Sequence, residues 1–367
     1  MIFYTFIFCV VIFFAYMYDN LVDNMQLQAR IGDRRQFAYL FLSLLPLVAL
    51  SAVRYDTGYD YFYSYVPSLN EVRNGGVSHY DYLFNQYLKI FSLFESNQWF
   101  FAVTSILTVS LFYYAFLRND NHILAPVAIF IASYHYLRSF CFVAQYLAMS
   151  IFMVALVLLI KGRRLVPMLL IVLACLLHNS LLVVLPFFIL ILLSNSILNI
   201  AISIIVPAVS ILLSGLVRDV ILTYISRTRF SDYFSGQYDI GYSDKSLTYI
   251  NLLIFILYIL ITVIISTKSI VSNLCTIFLL AQSFAFSFSV LQSSIPVGYR
   301  LVWPFMLIQC ISIPYMLSQV FEKQFTRIII TFVVILFYVW MMKVPIASGA
   351  SQVLPYHFFF ASEYSIY

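Results

Sequence analysis

The sequence predicts an all-α, polytopic membrane protein, and three observations carry that prediction. Hydrophobic residues make up 63% of the chain and the mean hydropathy is +0.95; a soluble fold of this length could not bury so much apolar surface. The apolar runs are each about 17–25 residues long, the length of a spanning helix, whereas a spanning strand takes about 9–11. Charged residues are only 10% of the total and collect between the runs.

About twelve spans follow from a window of about 19 residues: 1–18, 37–53, 99–117, 123–137, 141–160, 165–177, 180–194, 198–216, 250–266, 274–292, 301–317 and 328–342. The first has no basic residue before it and no small-residue cleavage site, so it reads as a retained helix. The pair flanking His178 is short on each side and reads as two half-helices at a break or one kinked span. No soluble domain interrupts the chain, so 1–367 reads as a single integral membrane domain.

Basic residues at Arg30, Arg34, Arg35, Arg118, Lys161, Arg163, Arg164, Lys268, Lys323 and Arg327 fall on one side if the spans alternate. The positive-inside rule makes that side cytoplasmic. The opposite face then carries the loops 54–98 and 217–249 and the tail 343–367, all rich in tyrosine. Within the first loop, Leu83, Phe84, Tyr87, Leu88 and Phe91 recur at helical spacing, which predicts an amphipathic interfacial helix. A net charge of +5 spread over isolated basic residues does not suit nucleic acid. The five cysteines lie in or beside spans and form neither a disulfide framework nor a metal motif.

About half of the 20 Lys and Arg residues sit on the outer side, against the topological bias. Arg54, Arg138, Arg227, Arg229 and Arg300 crowd the membrane edge there. Guanidinium binds phosphate bidentately and keeps its charge, so an outer ring of arginines suits a lipid-borne pyrophosphate. The plainer alternative is snorkelling or pairing with nearby aspartates. On a helix through the region, Arg138, Cys141 or Phe142, and Gln145 would share a face.

The densest stretch is Arg54-Tyr55-Asp56-Thr57-Gly58-Tyr59-Asp60-Tyr61-Phe62-Tyr63-Ser64-Tyr65. Gly58 permits a tight turn. Asp60 and Asp56 are acid/base candidates, able to deprotonate a sugar hydroxyl or stabilise a cationic transition state. Tyr61 and Tyr65 offer flat faces to sugar rings; an ordinary aromatic belt with Arg54 paired to an aspartate is the alternative. His178 could bind phosphate or carry a proton, or be a satisfied structural residue. Tyr299-Arg300 repeats the aromatic–arginine pairing after Pro296-Val297-Gly298.

The run Arg54-x-Asp56-x-Gly58-x-Asp60-Tyr61-x-x-x-Tyr65 after the second span resembles the EpsG-like family of polysaccharide polymerases, relatives of Wzy-type O-antigen polymerases. The stretch Arg138 to Ala148, the His178-x-Ser180 break and Tyr299-Arg300 match in order. Relatives often carry a small residue where Tyr59 stands. They also often carry an acidic residue and a glycine where this chain reads His79-Tyr80-Asp81-Tyr82; if that acid binds acceptor sugar in relatives, either Asp81 replaces it or the role is lost.

The resemblance implies a helical bundle of the lipid-sugar-dependent (GT-C-like) transferase kind. It implies a glycosyltransferase that moves a growing glycan from undecaprenyl pyrophosphate to the next lipid-linked oligosaccharide unit. The expected setting is the bacterial inner membrane with the site facing the periplasm, with no cofactor and no metal. The implied partners are the lipid-linked oligosaccharide and the bilayer, with a chain-length regulator left open. An O-antigen ligase would share the donor and the arginines, and a lipid-linked oligosaccharide flippase would need charges mid-helix.

Overall fold

The computed structural model describes residues 2–26, 34–193, 195–225, 245–268, 270–295, 297–321, 324–347, 349 and 351–361. Among these, nine helices are long and apolar enough to cross a membrane, and Leu165–Leu177 and Asn179–Leu193 are shorter apolar helices. The chain divides into two compact units, Met1–Leu181 with Phe332–Tyr367, and Leu182–Thr331.

The first unit contains α1 (Ile2–Gln26), α2 (Arg34–Ala52), α3 (Val66–Arg73), α4 (Tyr82–Ser92), α5 (Gln98–Asp120), α6 (Leu124–Ala132), α7 (His135–Arg138), α8 (Val143–Ile160) and α9 (Leu165–Leu177). α1 packs on α2, α2 on α5, α5 on α8 and α8 on α9. α8 is apolar on every face, and 89% of its residues are buried, as an all-round apolar helix requires. The expected amphipathic helix is α4, with Phe84, Leu88 and Phe91 buried; it packs against α3, α5 and α9.

The expected span 123–137 is not one helix. α6 ends at Ala132, Tyr134 takes a left-handed φ of 65°, and α7 adds a single turn. A left-handed residue cannot continue a right-handed helix, and the Tyr134 amide closes a tighter turn on the Ile131 carbonyl (3.1 Å). Phe142 is also non-helical (φ −102°, ψ 54°), so Arg138 and Gln145 lie on separate helices instead of sharing one face. At the other weak point the break is present: His178 is extended (φ −152°, ψ 111°) between α9 and a 3₁₀ turn, Asn179–Val184.

The second unit contains α10 (Leu185–Leu193), α11 (Ser196–Ile225), α12 (Lys245–Ser266), α13 (Asn273–Leu291) and α14 (Tyr299–Ser318). α13 packs on α10, α11, α12 and α14. A knot of buried amides ties three of them. Gln309 Nε2 donates to Asn251 Oδ1 (2.9 Å) and Gln282 Oε1 (2.8 Å), and Gln282 Nε2 donates to the Asn251 carbonyl (2.9 Å). Such interhelical bonds set register where lipid removes the hydrophobic drive, each contributing about 0.6 to 2 kcal/mol. α15 (Gln324–Ala347) follows.

Candidate functional site

The chain after α2 is held by residues far along the sequence. Arg54–Tyr55 forms strand β1, antiparallel to β2 (His357–Phe358), with Arg54 opposite Phe358 and Tyr55 opposite His357. The Gly58 amide donates to the Gln352 carbonyl (2.9 Å), Tyr59 to Ser351 (3.1 Å) and Phe359 to Val53 (2.9 Å). Tyr356 donates its hydroxyl to the Leu50 carbonyl (2.7 Å), and Tyr4 donates to Val353 (2.7 Å). Nothing in the tail's sequence signals this clasp beyond a run of aromatics able to bury themselves.

Gly58 is where the turn is tightest. Its φ is +97°, and a Cβ there would stand 2.6 Å from the Phe140 carbonyl oxygen. Asp56 is left-handed as well (φ 44°), which a short polar side chain tolerates. Burial raises the Asp56 pKa above its ordinary value, opposed by the positive charge available at His357.

Arg54 turns inward and is 2% exposed. Nη1 donates to the Ser51 carbonyl (2.9 Å) and Nη2 to that of Phe140 (3.3 Å). Its guanidinium carbon lies 5.1 Å from the Phe101 ring centroid and 4.8 Å from that of Phe140. Desolvated cation–π contacts of this kind contribute about 2 kcal/mol. Among the described residues no carboxylate pairs with it, so the alternative of a simple Arg54–aspartate bridge does not form. Burial lowers its pKa from the ordinary value, with Tyr61 the largest opposing influence; a guanidinium stays charged even so. Arg54 also lines a water-sized cavity with Ser51, Thr104, Thr108 and Ser139 on one hand and Val109 and Val143 on the other. In this arrangement it staples the end of α2 to the turn before α8.

Tyr61 and Tyr65 are buried and structural in the same way. They belong to a π-helical turn, Tyr61–Tyr65, of the type that accompanies functional sites. Tyr61 stacks on Phe101 (4.2 Å between centroids, 11° between planes) and donates to Gln98 Oε1 (3.3 Å). Gln98 Nε2 in turn donates to the carbonyls of Ala52 and Arg54. The Tyr65 hydroxyl accepts from the Ala144 amide (3.1 Å), capping α8. Burial pushes the Tyr65 phenol well up, and the Tyr80 and Asp60 charges add to the rise. Asp60 is thus close enough to act on Tyr65 electrostatically. The exposed tyrosines of the stretch are instead Tyr59 and Tyr63, stacked on each other at 4.7 Å.

Arg138 ends α7, 7% exposed. It lies over the Tyr134 ring at 5.3 Å, and Nη2 donates to Met342 Sδ (3.8 Å). His135 Nδ1 is 2.8 Å from the Tyr146 hydroxyl. Gln145 is buried one turn into α8. The strained Tyr134 backbone therefore places an arginine, an imidazole and an amide around the helix break.

His178 faces Asp81. Nδ1 is 3.3 Å from Asp81 Oδ2, and the same carboxylate accepts from the Asn179 amide (2.9 Å) and from Asn179 Nδ2 (2.6 Å). The partners are 97 residues apart, and the one sign of Asp81 in the sequence is that it falls within His79–Tyr82, where the chain departs from its relatives' pattern.

Tyr299 and Arg300 open α14 in the second unit, with the Arg300 guanidinium 6.0 Å from the Tyr299 ring. Arg227 and Arg229 lie outside the described residues. Among the described residues no three His, Cys, Asp or Glu side chains are arranged to hold a metal ion.

The first unit thus contains Arg54, Asp56, Gly58, Asp60, Tyr61, Tyr65, Arg138, Gln145 and His178; the stretch 54–65 bonds to Phe140 and Ala144 beside α8, and His178 bonds to Asp81 at the end of α9. No curated protein and no solved structure matches the chain. The EpsG family matches residues 37–358, a stretch that begins in α2 and reaches through β2. The chain belongs to the EpsG family.

Proposed function

We propose that this protein polymerises lipid-linked oligosaccharide units, transferring the growing glycan from undecaprenyl pyrophosphate to the next lipid-linked unit. The observation that carries the reading is the family match over 37–358, which includes the whole motif and the strand that clasps it. Counting the two short helices and the broken segment 124–138 with the nine long ones gives about twelve crossings, in keeping with a GT-C-like bundle. The basic loops face the cytoplasm and the motif faces the periplasm of a bacterial inner membrane.

The leaving pyrophosphate needs positive charge as the glycosidic bond breaks, and Arg138 would supply it. Arg54 acts at one remove, holding the turn that presents Asp60. The Asp60 carboxylate would stabilise the oxocarbenium-like transition state. Tyr59 and Tyr63 offer exposed rings for sugar faces.

Arg138→Ala and Asp60→Asn, each expressed in place of the natural chain, should leave single repeat units on the lipid; the measurement is the length ladder of lipid-linked glycan. Normal long ladders from both variants would sink the assignment. A deletion strain that piles up long lipid-linked chains would point to a ligase instead.

A further inference from the structure

His178 has the geometry of an oriented base. Its ring is 27% exposed and the Asp81 side chain only 13%. Among the described residues the carboxylate bonds one nitrogen of the ring, Nδ1, and no hydrogen bond engages Nε2. A carboxylate only accepts hydrogen bonds, so in the neutral ring the proton sits on Nδ1 and the lone pair on Nε2.

Asp81 is itself held. It precedes α4, and its carbonyl accepts from the Asn85 amide (2.9 Å). Asn85 Oδ1 accepts from the Ser78 amide (3.1 Å) and hydroxyl (2.7 Å), which fixes the strip 78–81.

We propose that His178 Nε2 is the general base of the transfer and that Asp81 is its positioning residue. The inference rests on the polymerase reading. The acceptor hydroxyl gives its proton to Nε2, and its oxygen forms the new bond to the anomeric carbon of the donor glycan. The bond from that carbon to the pyrophosphate oxygen breaks, and its electron pair leaves with the lipid pyrophosphate. The proton then passes from Nε2 to water. The imidazolium formed on the way stands beside the Asp81 carboxylate, so charge appears where an opposite charge is already fixed. The alternative is that Asp81 only caps the turn at Asn179. In that case the orientation of the ring has no kinetic consequence.

The test uses the full chain in lipid nanodiscs and lipid-linked repeat units extracted from a strain lacking it. Asp81→Asn keeps an acceptor for Asn179 but can donate to Nδ1, which puts the proton on the wrong nitrogen. Its kcat should fall about 100-fold or more, with KM within about twofold and melting temperature near that of the parent. Asp81→Glu should recover part of the loss. His178→Ala should lose as much, regain activity with added imidazole, and show no further loss when combined with Asp81→Asn. Wild-type protein that cannot elongate the extracted units overturns the polymerase reading and the dyad with it. Wild-type elongation with kcat retained in Asp81→Asn overturns the dyad alone. If Asp81→Asn does not fold, His178→Ala decides: a retained kcat overturns the dyad, and imidazole rescue supports it.

Discussion

At the scale of single residues, Gly58 is the position with least freedom. Two independent constraints meet there: a φ of +97° and a backbone carbonyl 2.6 Å from where a Cβ would be. Either one alone costs free energy, and the carbonyl belongs to Phe140, whose oxygen also accepts from Arg54. Gly58→Ala should lower stability by at least about 2 kcal/mol, read as a drop in melting temperature in detergent. An unchanged melting temperature would mean that the turn relaxes freely. The residue types at 54–65 were legible as a site because charge is so sparse elsewhere. The direction of Arg54 was not, since its acceptors are a carbonyl at Ser51 and another 86 residues away. Asp81 illustrates the same limit: a carboxylate before a helix looks like a cap until the fold brings His178 to it.

At the scale of elements, the long spans were legible from apolar length alone, and α2, α5, α8 and α12 to α15 fall where the runs lie. The short pieces were not. Nothing in the residues 123–137 marks Tyr134 as left-handed, and the turn it opens leads to Phe140, which lies against Gly58. The tail was equally opaque, because a strand of two residues has no periodicity to read. Its contacts nonetheless account for much of the order in the motif. Truncation before Ser351 should leave the spans folded while freeing the amides of Gly58 and Tyr59 and the Val53 carbonyl, so hydrogen exchange at 54–59 should rise by several orders of magnitude as local opening becomes easy. Unchanged protection there would show that the motif holds its shape without the clasp.

At the scale of the whole molecule, the two units carry different kinds of polar chemistry. The second has a closed amide knot at Asn251, Gln282 and Gln309 that serves packing. The first holds Arg54, Arg138 and the Asp81–His178 pair at or beside the ends of α2, α7 and α9. The proposed topology puts those ends outside. A single cysteine at Leu93, in the turn after α4, should react with an impermeant maleimide on intact spheroplasts. One at Gly162 should react only after lysis, each compared with the parent chain. The reverse pattern would invert the molecule and move the motif to the cytoplasmic side.

The clasp also has a consequence in time. Thr57 accepts from the amide of His357, a partner synthesised 300 residues later. While the chain is being made, the motif emerges and enters the membrane long before its second strand exists. A nascent or prematurely ended chain therefore lacks the piece that shapes the Arg54–Gly58 turn. Assembly of that turn therefore waits until residues 351–359 have been made.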